Sequence, residues 1–205
     1  MNFEKNRIYH IYNQGNNRKK IFFERKNYQL FKYKITDFIS PYGDILAWCL
    51  MPNHFHIMLL VNEVELYYEE KYGKLIEESK IKEGVFYKKR VLNDSIGILL
   101  RSYTRIINAE NEFTGSLFRK RSKASAINSF KGLQQNFWKS KIAISNMLPE
   151  NQYAQVCFNY IHHNPVKAGL VKKDTDWEYS SARDYANLRR NGIINKQLAE
   201  TYVDF

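Results

Sequence analysis

Two strand-like runs, Asp44 to Met51 and His54 to Val61, stand on either side of Pro52-Asn53. Both are rich in apolar and β-branched residues, and the pair between them permits a tight reversal. Together they read as a β-hairpin. The rest of the chain is read around it. Ile8 to Asn13 (IYHIYN) is β-branched and aromatic, a strand that ends in the turn residues Gln14-Gly15-Asn16-Asn17. Glu24 to Ile39 places Leu30, Phe31, Ile35, Phe38 and Ile39 at helical spacing, and Ser40-Pro41-Tyr42-Gly43 ends it.

Asp94 to Asn108 is a second helix, with Asn93 or Asp94 as its cap. Ile96, Leu99, Leu100, Tyr103, Ile106 and Ile107 mark its buried face. Ser116 to Ala126 reads as an irregular strand rich in Arg and Lys. The order is then strand, helix, strand, strand, helix, strand. That is the β-α-β-β-α-β pattern of an α+β, ferredoxin-like antiparallel sheet with helices packed on it. The charged stretch Glu63 to Lys89 reads as a helical insert or a partly mobile excursion. Ile127 to Pro149 is ambiguous, with helix expected around Leu133 to Ile144. Gln152 to His163 is helical and is expected to stop at Asn164-Pro165.

Composition narrows the function classes. Of 205 residues, 44% are hydrophobic and 15% aromatic, enough to bury a core and exclude a disordered chain. Two cysteines, Cys49 and Cys157, make neither a disulfide framework nor a four-cysteine zinc site. The N-terminus has no apolar signal region, and no apolar run approaches the roughly 20 residues needed to span a bilayer. The expectation is a soluble, cytoplasmic protein with no membrane partner. A net charge of +11 asks for an anionic partner, nucleic acid first.

The chemistry concentrates in two blocks. In Met51-Pro52-Asn53-His54-Phe55-His56 the two histidines are i and i+2 on a strand and share one face. Their Cα atoms lie roughly 7 Å apart, close enough for both imidazoles to meet one divalent metal. A catalytic zinc site wants three protein ligands, and Ile57 to Leu60 supplies none, so a third must come from elsewhere. In the second block, Tyr153, Val156, Cys157, Tyr160 and Ile161 form one helix face, and Tyr160 and Asn164 are i and i+4 neighbours at its end. Read alone, Tyr160 suits a core tyrosine and Asn164 a turn residue before proline.

Taken together, these blocks resemble the HUH superfamily of single-strand nucleases. More closely, the chain resembles the REP-associated tyrosine transposases of the single-tyrosine transposase family. The matching residues are Tyr9-His10-Ile11-Tyr12-Asn13 with Gly15-Asn16-Asn17-Arg18, then Ala47 through His56, then Gly115-Ser116-Leu117-Phe118 with the basic stretch to Lys123. They continue with Tyr160-Ile161-His162-His163-Asn164-Pro165-Val166-Lys167-Ala168-Gly169-Leu170-Val171 and the tail residues Trp177 to Ser181 and Tyr185. Gln14 departs from the pattern, since relatives often carry Arg there.

The resemblance implies that His54, His56 and Asn164 bind Mg2+ or Mn2+ and that Tyr160 is the nucleophile. It implies cleavage and joining of single-stranded DNA, at hairpin-containing repeat DNA, through a 5′-phosphotyrosine and a free 3′-hydroxyl. The expected layout is a nuclease domain over residues 1–175, with a charged insert at 63–90, and a C-terminal tail over 176–205. A homodimer is allowed but not required. Arg18-Lys19-Lys20, Lys88-Lys89-Arg90 and Arg119-Lys120-Arg121 are candidate phosphate contacts. Tyr12, Phe118 and Trp48 offer stacking surfaces for bases, with core the stronger reading for Trp48. Tyr103 is a rival nucleophile, but Ile107 stands where a metal-binding partner would be. The alternatives are a non-catalytic DNA- or RNA-binding module on the same fold and a metallohydrolase without a covalent step.

Overall fold

The computed structural model describes residues 1–69, 75–76, 87–127, 150–190 and 192–205. Its centre is a four-stranded antiparallel sheet of β1 (Arg7–Gln14), β2 (Gly43–Met51), β3 (His54–Val61) and β7 (Lys123–Ala126), in the order β2-β3-β1-β7. The expected hairpin is β2–β3, with Met51 opposite His54. Helix α1 (Arg25–Phe38) joins β1 to β2, and α2 (Leu92–Asn111) leads towards β7. This is the ferredoxin-like α+β arrangement that the order of elements predicts.

Strand alternation divides the core between the two faces of the sheet. Ile11, Phe55, Ile57 and Leu59 pack against α1 and α2, where Phe31, Ile35, Leu99 and Tyr103 meet them. Ile8, Cys49, Met58 and Leu60 face the other way, towards Cys157, Phe158 and Ile161 of α3 (Glu150–Lys167). A register shift between Ile45 and Ala47 lets Leu46 and Ala47 join this second cluster together. Both cysteines are free and buried, as small hydrophobes.

Several expectations are corrected. The insert is not helical where it is described: β4 (Glu65–Glu69), β5 (Leu75–Ile76) and β6 (Tyr87–Val91) form a second antiparallel sheet in the order β5-β4-β6. Its charges work across strands. Lys89 pairs with Glu65 at 2.8 Å and lies over the Tyr67 ring, while Arg90 covers Tyr68 at 3.9 Å. Neither Asn93 nor Asp94 caps α2, because β6 runs directly into the helix and Val91 takes the cap position. Asp94 instead sits in the first turn, where the helix dipole favours it. Only Lys123–Ala126 of the expected 116–126 strand is regular, with an isolated bridge from Phe118 to Gly15. The helix expected around Leu133 to Ile144 lies outside the described residues.

Helix α3 also does not stop at Asn164-Pro165 but continues to Lys167. A proline in the last turn forfeits one backbone bond while the turn closes without it. Leu170 N–H donates to Pro165 O and Gly169 N–H to Val166 O, both at 2.9 Å, with Gly169 at φ +70°. This Schellman-type close satisfies the terminal carbonyls.

Residues beyond 175 lie along the outer edge of β2. Leu50 N–H donates to Tyr179 O at 2.8 Å, Ser181 N–H to Trp48 O at 2.9 Å, and the Trp177 indole to Leu50 O at 3.0 Å. An edge strand is thereby covered. α4 (Ala182–Tyr185) and α5 (Lys196–Ala199) then add Tyr185, Ala199 and Val203 to the second core cluster.

His162 ties α3 to this segment through a 2.7 Å hydrogen bond with the Ser181 hydroxyl. Burial holds its imidazole down to about 3. An unfolded chain has the ordinary value near 6.5, so between the two values only the unfolded state binds the proton. Stability is therefore full above about pH 6.5 and falls as the solution is acidified. Going from pH 7.5 to 5.5 should cost about 1 kcal/mol through this residue. Urea denaturation at both pH values should show a correspondingly smaller loss in His162→Gln. Equal losses in both proteins would remove His162 as the cause.

Candidate active site

β1 and β3 are neighbours, and their register places Tyr12 opposite His56 and Gln14 opposite His54. The period of two puts His10 and Tyr12 on the same sheet face as His54 and His56. That face meets α3. Tyr160 on α3 presents its ring edge-on to His56, with centroids 5.4 Å apart and planes at 83°. The two histidine rings of β3 are themselves 4.9 Å apart and nearly perpendicular.

Each of these imidazoles is held by one nitrogen. His54 Nδ1 meets Asn53 Oδ1 at 2.6 Å, and His56 Nδ1 meets His10 Nε2 at 2.8 Å. His56 Nε2 is buried with no hydrogen-bond partner. Leaving such an atom unsatisfied costs about 1–3 kcal/mol. Desolvation lowers all three rings: His10 to about 3, His54 to about 4, and His56 well below its usual value, with His10 and His54 adding to the last. At neutral pH they are uncharged and their lone pairs are available for coordination.

Asn164 lies one helical turn beyond Tyr160. Its Nδ2 donates to Tyr160 O at 2.7 Å, which fixes the amide orientation and leaves Oδ1 as an acceptor. The amide also acts on its neighbours: it pulls His54 upward and Tyr160 downward, in each case against the larger effect of burial. The net result for Tyr160 is a pKa above the usual phenol value. Its hydroxyl is therefore protonated at neutral pH and must lose its proton during any attack.

The donor set suits a divalent cation. It offers an orphaned buried imidazole nitrogen, a second imidazole and a neutral amide oxygen. Among the described residues no group of three or more His, Cys, Asp and Glu is placed to hold a metal. Two imidazoles and one amide oxygen are a donor set for an open site rather than for the closed four-ligand site of a structural zinc.

His54, His56, Tyr160 and Tyr12 line a cavity of about 200 Å³ whose rim carries Arg119, Arg121 and Lys123. Of the expected phosphate contacts, Arg119 and Arg121 therefore join the histidines. Lys120 lines a neighbouring groove, and Arg18, Lys19 and Lys20 are exposed but line neither. Two aromatic expectations are settled by burial: Phe118 is core rather than a base platform, and Trp48 is core as well. Tyr103 is fully buried on the opposite sheet face, where its hydroxyl donates to Ile21 O at 2.7 Å. His10 and Lys123 emerge as site residues only through strand pairing. The alternation of β1 is the one sequence signal that places His10 beside Tyr12.

Among the described residues, no helix is long and apolar enough to cross a membrane. No family model matches the chain, and no curated protein matches it. Among solved structures, the chain is similar to a REP-associated tyrosine transposase bound to a REP hairpin. The likeness covers 93% of this chain and 86% of that one, at 18% identity and a TM-score of 0.52. At this distance the shared property is the fold: this chain has the same α+β architecture as that protein.

Proposed function

We propose that this protein is a metal-dependent single-stranded DNA endonuclease and strand transferase with Tyr160 as nucleophile. The observation that carries the reading is the convergence of His54, His56 and Tyr160 at one cavity with Arg119 and Arg121, with Asn164 beside both His54 and Tyr160. All of these groups come from one chain, so one copy contains the whole constellation and a homodimer is not needed to complete it. The reading assigns catalysis to residues 1–175, with residues 176–205 bracing the outer strand.

His54, His56 and Asn164 would hold Mg2+ or Mn2+. The ion supplies Lewis-acid polarisation of the scissile phosphate and helps align it for in-line attack. Two imidazoles favour Mn2+ as the softer choice. Arg119 and Arg121 offset phosphate charge at the rim. Tyr160 Oη forms a bond to phosphorus as the bond from phosphorus to the 3′-oxygen breaks. The phenol proton is lost, and the departing 3′-oxygen takes up a proton as the free hydroxyl. The 5′-phosphotyrosine conserves the phosphoester, so a 3′-hydroxyl can reverse the step without ATP. The similar transposase is bound to a REP hairpin, which makes a single strand carrying a hairpin the substrate to test. Such a DNA, incubated with protein and Mn2+, should give a denaturant-resistant protein–DNA adduct. Salt-sensitive binding without adduct or cleavage would favour the non-catalytic module.

His10 has a positioning role in this scheme. It binds the nitrogen of His56 that faces away from the proposed ion, as outer-shell partners do. His10→Phe should weaken Mn2+ binding by about 10–100-fold, measured by the paramagnetic resonance of free Mn2+. His10→Gln, which returns an acceptor near the Nε2 position, should recover part of the loss. Unchanged affinity in His10→Phe would refute the role.

A further inference from the structure

A second cavity, of about 740 Å³, lies between α2 and the segment 115–122. Arg101 and Arg105 enter it from the helix, and Arg119, Lys120 and Arg121 from the segment. Asp94 is the one carboxylate among its lining residues. All five basic residues are exposed, and none forms an ion pair among the described residues. Other surface cations are balanced, as Lys5 is by Glu63, Arg25 by Glu178 and Lys89 by Glu65. Five basic residues without ion pairs are thus gathered in one concave place, against a single carboxylate.

Local structure supports this use of the helix. A Cβ on Gly97 would lie 2.9 Å from Arg101 Nη1, so the guanidinium rests against the helix wall where glycine leaves room. Glycine costs a helix interior about 1 kcal/mol relative to alanine. Ile96, Leu100 and Phe118 supply apolar lining between the charges.

The groove adjoins the proposed catalytic cavity. Asn13, Arg119 and Arg121 line both. Asn13 sits at the junction and pins the segment, donating from Nδ2 to Arg119 O at 3.2 Å and to the Ser122 hydroxyl at 3.0 Å. A polyanion lying against α2 and passing around the end of β1 towards Tyr160 would keep Arg119 and Arg121 beside it.

We infer that the groove between α2 and residues 115–122 binds the sugar–phosphate backbone of the DNA segment that adjoins the cleaved phosphate. Arg101 and Arg105 are contacts remote from the chemistry. The inference rests on the proposed DNA substrate, which selects a nucleic acid over an acidic peptide because the track ends in a phosphate-handling cavity.

The test is binding, followed by fluorescence anisotropy between about 50 and 200 mM salt. It compares a short single strand that spans only the catalytic cavity with a longer one that extends beyond it. Arg101→Gln/Arg105→Gln should lower the log–log salt slope for the long strand by about 1.4, at roughly 0.7 per lost phosphate contact on a single strand. The slope for the short strand should not change. Lys172→Gln/Arg190→Gln, which removes the same charge outside the groove, should alter neither. An unchanged slope for the long strand, or equal losses for both strands, would overturn the groove. Displacement by polyglutamate more readily than by DNA would assign it to an acidic protein and overturn it too. Because no cleavage is needed, normal adduct formation with no slope effect sinks only this inference. A slope effect without any adduct sinks only the tyrosine chemistry, and a wild type that binds no DNA sinks both.

Discussion

Tyr160→Phe is expected to abolish the covalent protein–DNA adduct and to lower strand cleavage by roughly 10⁴-fold or more, the scale on which removal of a nucleophile acts. The substitution deletes one oxygen and keeps the ring that packs edge-on against His56 at 5.4 Å. Folding and Mn2+ affinity should therefore stay close to wild type, which separates lost chemistry from lost structure. Tyr103→Phe is the matched control. It removes the hydrogen bond from a buried hydroxyl to Ile21 O, which should cost about 1 kcal/mol of stability and leave adduct formation intact. Denaturing gels with an end-labelled hairpin oligonucleotide read both outcomes. An adduct in Tyr160→Phe, or its loss in Tyr103→Phe at temperatures where that variant is folded, would move the nucleophile.

The second large effect concerns the ion. His56→Ala is expected to weaken Mn2+ binding by at least about 10²-fold, more than loss of its outer-shell partner His10 would. In the wild type, His56 Nε2 is buried without a hydrogen-bond partner, and Nδ1 is engaged by His10. An ion there would satisfy an atom that otherwise only costs energy. The truncation also leaves a cavity beside His10, so some stability should be lost with it. His54→Ala, at a less buried position, tests the same site with less disturbance of the core and should also lose Mn2+ affinity. Retained Mn2+ binding in both variants would place the ion elsewhere and leave the histidine pair without this role.

The histidine pair was legible because strand geometry is local. Two residues apart on β3 means one face, whatever surrounds the strand. The same holds for Tyr160 and Asn164, neighbours wherever a helix forms, and the helix forms because its apolar face is periodic. The split between Tyr103 in the core and Tyr160 beside the histidines was legible only in part, since both lie on amphipathic helices. Their sheet faces decide it, and a face is assigned by packing. The insert misled for a related reason. Glu65 to Glu69 and Tyr87 to Val91 mix charge and aromatics with no clear helical or strand period, and their ladder depends on pairing across residues distant in sequence.

From the sequence alone, local periodicity determined the secondary elements of the central sheet, their order, and which chemical groups share a strand or helix face. Charge bookkeeping determined that an excess of cations exists. The tertiary structure alone decided that α3 crosses the face carrying His54 and His56, and that His10 touches His56 through the register of β1 on β3. It also decided that Arg101 and Arg105 share a groove with Arg119, Lys120 and Arg121. The physical reason is the same in each case. Backbone geometry repeats over a few residues and can be read along the chain, whereas contacts between distant segments follow from how the whole core packs.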